Sequence, residues 1–300
     1  MTAQSASSAM PAAASMRDYF TLLKPGVMSL VVFTGAVGMW LAPGQMHPLL
    51  QAVTILCIAL GSGASGVFNM VYDQDMDAIM KRTENRPIPA GRIAADDALV
   101  LAWGLAFLSV GLLGLATNWV AAGWLAFAIF FYAVIYTMGL KLHTPHNIVI
   151  GGAAGAFPAV IGWAAMTGDV MASLPWVLFT VVFLWTPPHF WALCLYRHDD
   201  YARANVPMMP ITHGVRHTKW QMFFYSIAML AVSLLPVLLH GAGMFYAVMA
   251  GALGGMFVWR SWQVLRSDDA KIAMRLFGFS ILYLFALFGA LVIDMLVVGA

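Results

Sequence analysis

Charge is what this sequence has least of. Only 9% of its 300 residues are Asp, Glu, Lys or Arg, against 62% hydrophobic, with a mean hydropathy of +0.83. A soluble domain carries about 25% charged residues, so this chain cannot clothe itself in a solvated surface and reads as a polytopic membrane protein. Cysteine is nearly absent too. Cys57 and Cys194 stand far apart in apolar runs, which predicts two free thiols, and neither has a metal-type spacing. The missing Cys-x-x-Cys-His string excludes covalent haem attachment. No basic patch with interleaved aromatics is present, and a net charge of +2 gives no reason to expect a nucleic-acid partner. The first sixteen residues lack the basic-then-apolar order of a secretory signal. They are expected to form a disordered tail, leaving 17–300 as a single transmembrane domain.

What is there is a succession of apolar segments. Arg17 to Lys24 reads as an amphipathic lead-in and Pro25 opens the first span. Nine spans follow, near 26–45, 49–69, 97–116, 118–138, 147–167, 173–195, 220–240, 243–260 and 277–298. All 15 Lys and Arg residues fall on one side of this map. The positive-inside rule then predicts a bacterial inner-membrane protein with its N-terminus cytoplasmic and its C-terminus periplasmic. Small-residue clusters at Gly61–Gly66 and Gly151–Ala156 suit close helix packing in lipid, and they also leave room beside a cavity for a bulky ligand. Two long cytoplasmic loops, near 70–96 and 196–219, leave the second and sixth spans and hint at two related halves.

The scarce acids are not scattered. At about 100° per residue, Asn69, Asp73 and Asp77 fall on one helical face, with Asp75 opposite and Lys81, Arg82 and Arg86 just beyond. A carboxamide and two carboxylates on one stripe suit Mg²⁺, a hard cation usually shared between one or two carboxylates and substrate phosphates. The second loop adds Arg197, Asp199, Asp200, Tyr201 and Arg203. Adjacent aspartates cannot share one helical face, so one is expected to ligate while the other pairs with Arg197 or Arg203. Two such clusters facing each other would grip two Mg²⁺ ions and a diphosphate, with Arg82, Lys141 and Arg197 neutralising the leaving group. Within the sixth span, Pro187-Pro188 is expected to break or kink the helix beside a cavity, placing His189 as a core histidine or a ligand contact.

These residues resemble a known family. Asn69-x-x-x-Asp73-x-x-x-Asp77 looks like the first aspartate-rich motif of the UbiA-type intramembrane prenyltransferases, and the resemblance runs from about residue 18 onward. It implies an all-α protein of nine transmembrane helices around a central cavity with a cytoplasmic cap. Further strings are similar to the haem-modifying branch, the protohaem IX farnesyltransferases: Asp73 to Asp77 with Lys81-Arg82-Thr83 and Arg86-Pro87, Thr144-Pro145-x-Asn147 running on to Ala156, Thr186 to Trp191, and Asp200 to Pro210. Quinone-type relatives carry a fuller second motif, and Lys141-Leu142-His143 replaces a more basic run.

The resemblance implies farnesyl diphosphate and haem B as substrates, haem O and diphosphate as products, Mg²⁺ as cofactor, and traffic with a haem A synthase or oxidase assembly factors. Asn69, Asp73, Asp77, Asp199 and Asp200 are then the metal ligands, and Asp73, Asp77, Lys141, Arg82 and Arg197 the catalytic set. Asn69, Lys81, Arg86, Asn147, His189, Tyr201 and Arg203 would contact substrate. His189 is the first candidate for haem iron or a propionate, with His143 and His146 behind it. Tyr72, Tyr132, Tyr136 or Trp191 would stabilise an allylic cation by cation–π attraction. The rival readings are a sister prenyltransferase acting on an aromatic acid or chlorin, a transporter, and a non-catalytic haem assembly protein. A transporter predicts essential polar groups near the midplane, whereas here they gather at one edge and only Asp294 lies deep.

Overall fold

The computed structural model describes residues 14–298, so most of the expected tail, 1–13, lies outside the described residues. The last residues of that tail are ordered into the fold. Ser15 Oγ accepts from the Asp18 backbone N–H and the Ser15 backbone N–H donates to the Asp18 carboxylate, a reciprocal cap on α1 (Met16–Leu22). After a 53° bend at Leu23-Lys24 comes α2 (Pro25–Trp40). Then follow α3 (Pro48–Tyr72), the short α4 (Gln74–Ile79), α5 (Ala95–Ala116), and α6 (Trp119–Phe130), which continues as a π-helix over Phe131–Leu140. The second half begins with α7 (Asn147–Thr167) and α8 (Ser173–Tyr196), followed by the short α9 (His198–Arg203) and α10 (Met209–Thr212). It ends with α11 (Val215–Ser233), α12 (Leu235–Leu238), α13 (Met244–Arg266) and α14 (Ala270–Val298).

Among the described residues, nine long helical segments cover the nine expected spans and no strand is present. Seven are long and apolar enough to cross a membrane by themselves, and α1 with α2 makes an eighth if the bent pair is one span. The glycine-rich α13, carrying Arg260 and Arg266, is not among them. The chain is therefore a multi-pass membrane protein.

Two apolar cores are present, and neither follows the suspected division into halves. One gathers α3, α5, α6 and α7 around Ile58, Val67, Ala102, Leu113 and Leu125. The other gathers α8, α11, α13 and α14 around Val181, Met222, Phe257, Tyr283 and Leu287. They meet across α2 and α7, where the backbones approach so closely that a Cβ on Gly38 would strike the Ala159 carbonyl and one on Gly162 the Gly35 carbonyl. Lipid gives helices no hydrophobic reason to associate, so such close packing supplies the attraction. Asp294, the one deep acid, is structural. Its carboxylate accepts from the backbone N–H groups of Gly243 and Tyr246, capping α13 where backbone donors have no helical partner.

The expectation of a break at the proline pair is corrected. α8 runs unbroken through Pro187 and Pro188. Neither proline can donate to the preceding turn, but the segment is held by its surroundings. Thr186 Oγ1 donates to the Val182 carbonyl at 2.8 Å, and Trp185 Nε1 donates to the Ser280 carbonyl of α14 at 2.8 Å.

Candidate active site

The acidic stripe survives a break in the helix. α3 ends at Tyr72, Asp73 serves as its C-cap, and α4 starts at Gln74, yet the i→i−4 ladder continues. Asp73 N donates to Asn69 O at 2.9 Å and Asp77 N to Asp73 O at 2.8 Å. The helical face is thereby preserved, and Asn69, Asp73 and Asp77 are all buried. Tyr72, off that face, is exposed.

Cations meet each member of the stripe. Lys24 Nζ donates to Asn69 Oδ1, Lys141 Nζ pairs with Asp73 Oδ2, and Arg86 pairs with Asp77 Oδ2 at 2.6 Å. Nothing in the sequence singled out Lys24. By sequence it belongs to the amphipathic lead-in, but the α1–α2 bend folds it back over α3. Its backbone is left-handed (φ 53°), a strained state for a lysine that persists only where the surroundings impose it. Although part of its surface stays accessible, protein encloses the ammonium. Burial pulls its pKa down to about 7, with Arg86 and Lys141 adding to the drop and Asp73 and Asp77 opposing it. Burial lowers the Lys141 ammonium as well, against the pull of its partner Asp73.

The π-helix aims the remaining groups. Its wider turn uses i→i−5 bonds, as when Lys141 N donates to Tyr136 O at 2.9 Å, and such turns recur at functional sites. Thr137 Oγ1 accepts from Asn69 Nδ2 at 3.1 Å and itself donates to the Tyr132 carbonyl at 2.8 Å. Tyr132 and Tyr136 stack obliquely with centroids 5.3 Å apart. Asn147 Nδ2 donates to the Lys141 carbonyl at 2.9 Å, while its buried Oδ1 has no partner. A buried acceptor left open costs about 1–3 kcal/mol, so a missing donor or cation is called for here.

The second loop closes over this site through a small core of Met80, Ile148, Cys194, Tyr201, Val206 and Met208. Tyr201 is buried, which raises its hydroxyl pKa, and the nearby charge of Arg82 on the first loop partly offsets the rise. Asp200 is buried and paired with Arg203. Asp199, expected as a metal ligand, is instead fully exposed, 3.5 Å from His198. Arg197 is exposed and lies over its neighbour Tyr196, 5.3 Å from the ring centroid, and Lys81 is exposed. These three are not gathered with the stripe. Adjacent aspartates diverge on a helix, and in α9 it is Asp200 that turns inward.

Below the stripe opens an apolar cavity of about 100 Å³. Lys24 and Tyr132 stand at its polar end, Gly61, Ser65 and Gly155 on its walls, and Ile58 and Ile161 at depth. Both small-residue clusters thus contribute to a space for a ligand. At about 1.5 Å per residue, Ile58 lies roughly 16 Å below Asn69. His189 is elsewhere, its imidazole sandwiched by Trp185 (4.1 Å) and Phe277 (4.5 Å) with Nδ1 2.6 Å from Ser280 Oγ. Both ring faces are covered, which corrects its expected role as a haem contact to that of a packed core histidine.

An acidic stripe ringed by cations above an apolar pocket agrees with the sequence comparisons. The model of the UbiA prenyltransferase family matches residues 31–290. The chain belongs to that family. The UbiA fold is seen in solved structures as well: a digeranylgeranylglyceryl phosphate synthase superposes with a TM-score of 0.77 at 18% identity, over 93% of this chain and 98% of that one. A UbiA homologue from Archaeoglobus fulgidus bound to DMAPP and Mg²⁺ gives 0.63 at 15% identity, over 91% and 99%. Within the family, the protein named protoheme IX farnesyltransferase from Parvibaculum lavamentivorans is 54% identical over 93% of this chain and 89% of its own. The one from Rhizobium johnstonii is 56% identical over 94% and 90%.

Proposed function

We propose that this prenyltransferase joins the farnesyl group of farnesyl diphosphate to a vinyl group of haem B and adds water, releasing haem O and diphosphate. The observation that carries the donor half is the junction of a buried, cation-ringed acidic face with a deep apolar cavity. The acceptor half rests on the relatives, which share more than half of their residues with this chain.

The residues fit a hard divalent cation. Asn69, Asp73 and Asp77 offer oxygen donors, and the open Asn147 Oδ1 lies beside Lys141. Among the described residues no three His, Cys, Asp or Glu side chains converge, which suits Mg²⁺ completed by phosphate oxygens and water. Asp200 is the donor left for a second ion. When bound, Mg²⁺ draws electrons from the diphosphate and makes it a better leaving group.

The chain's own groups do the rest. Lys24, Lys141 and Arg86 are released from their carboxamide and carboxylate partners to meet phosphate oxygens, and Arg82 closes the second loop over them. The C–O bond at farnesyl C1 breaks with its electron pair leaving on the diphosphate. Tyr132 and Tyr136 present aromatic faces to the allylic cation, and the cavity keeps water from it. The terminal carbon of the haem vinyl forms the new C–C bond, leaving a cation beside the macrocycle. Water adds there and loses a proton, giving the hydroxyl of haem O. The positive-inside rule supports basic loops in the cytoplasm and a C-terminus in the periplasm of a bacterial inner membrane, since all 15 Lys and Arg fall on one side of the span map.

The experiment is product analysis by mass spectrometry, using protein in detergent with haem B, farnesyl diphosphate and Mg²⁺, with and without EDTA. Haem O formed only without EDTA is expected. Prenylation of 4-hydroxybenzoate in place of haem would overturn the acceptor assignment, and undiminished turnover in EDTA would overturn the metal.

A further inference from the structure

With His189 enclosed, exposed histidines near the acidic face come into question. His146 at the start of α7, His213 at the end of α10 and His217 in the first turn of α11 are all exposed. They form a row across the two halves, with ring centroids 6.4 Å apart for His146–His213 and 5.6 Å for His213–His217. Thr212 Oγ1 lies 2.9 Å from His213 Nδ1, which orients the ring and leaves Nε2 as its free ligating nitrogen.

The row is unsuited to caging a bare ion, since among the described residues no three such side chains converge. It suits a ligand that brings its own in-plane nitrogens and asks the protein for one axial imidazole. The surroundings match the rest of such a ligand. Trp220 and Phe224 follow His217 at three and seven residues, hence on one face of α11. Their rings stack at 5.7 Å and 24°, and they are 42% and 57% exposed, enough for a flat apolar macrocycle to lie against them. Arg216 is exposed between the two histidines and supplies charge for carboxylates. His146 is next to Asn147, whose amide reaches Lys141, the partner of Asp73.

We infer that His146, His213 and His217, with Trp220, Phe224 and Arg216, form a docking site for the haem acceptor at the cytoplasmic membrane boundary. There an exposed imidazole takes the iron before the macrocycle passes to the reacting centre. The inference rests on the haem reading of the acceptor. It is tested on whole protein in nanodiscs titrated with ferric haem and, separately, with iron-free protoporphyrin IX. A His146→Ala/His213→Ala/His217→Ala variant is compared with a His240→Ala control.

The triple variant is expected to lose the imidazole-ligated component of the Soret band. Its KM for haem should rise about tenfold or more, with kcat and the KM for farnesyl diphosphate unchanged. Protoporphyrin IX should bind it and the wild type equally, and Trp220→Ala should weaken both porphyrins. An unaltered spectrum and haem KM in the triple variant, or an equal loss in the control, would overturn the site. Titration needs no turnover, so the two readings fail separately. Imidazole-dependent haem binding without haem O would sink the acceptor assignment alone. Haem O made by wild type and triple variant with identical spectra would sink the docking site alone.

Discussion

Gly155 measures whether the cavity holds the prenyl chain. It lines the pocket, and a Cβ built on it meets no atom within 4 Å, so a larger side chain there enters empty space rather than a neighbouring helix. Gly155 is eight residues into α7, about 12 Å below Asn147 at ~1.5 Å per residue, so a side chain there meets the chain well below the diphosphate end. Leucine adds four carbons. If they displace a similar length of farnesyl chain from the apolar wall, the loss is about 3 kcal/mol at ~0.8 kcal/mol per buried methylene. That corresponds to a fall of roughly 100-fold in kcat/KM. Geranyl diphosphate, five carbons shorter, should escape most of it. The assay is a competition between the two diphosphates with product ratios read by mass spectrometry. Gly155→Leu should lower the farnesyl-to-geranyl ratio about 100-fold, and Gly155→Ala only about fourfold, one methylene's worth. Gly104 on α5 also faces open space but lies outside the cavity, so Gly104→Leu is the control and should leave the ratio alone. An unchanged ratio in a folded Gly155→Leu protein would refute the placement of the chain.

Three other predictions test the polar end and the scaffold. Asp73→Asn and Asp77→Asn should each lower kcat/KM by at least about 100-fold while thermal unfolding in detergent stays cooperative; near-normal haem O formation in either would remove it from the site. Lys24 is neutral above a pKa of about 7 in the free protein, and a bound diphosphate raises that pKa, so binding should take up protons at pH 8 and almost none at pH 6. Calorimetry in buffers of different ionisation heat reads this directly, Lys24→Met should reduce it, and buffer-independent heats at pH 8 would contradict it. The same lowered pKa makes the unfolded chain bind more protons above pH 7, so Lys24 costs stability below about 7, and the free protein should gain stability as pH rises from there toward 10. Asp294→Ala orphans two backbone donors at the start of α13, which should cost about 2–5 kcal/mol. Its melting temperature in detergent should drop while kcat of the folded fraction is kept; an unchanged melting temperature would count against the cap.

What sequence alone determined here are the features with a local period. Charge scarcity and apolar run length set the spans because bilayer thickness sets helix length. The four-residue spacing put Asn69, Asp73 and Asp77 on one face because the helical pitch does so wherever the helix forms, and the ladder across Asp73 kept it so. Tertiary structure decided which groups that face would meet. Lys24 and Thr137 lie 45 and 68 residues from Asn69, and no local pattern connects them. The wide π-turn that aims Lys141 depends on packing against α3 and α7. Asp199 and Asp200 are equivalent on paper, and only the docking of α9 turned one inward. Pro187-Pro188 reads as a break until Trp185 and Thr186 are seen holding the helix together. His189 reads as a ligand until two rings close over it, while His146, His213 and His217 become a row only where two distant loops meet. Ranking those histidines required the fold, because exposure and neighbours, unlike periodicity, are long-range properties.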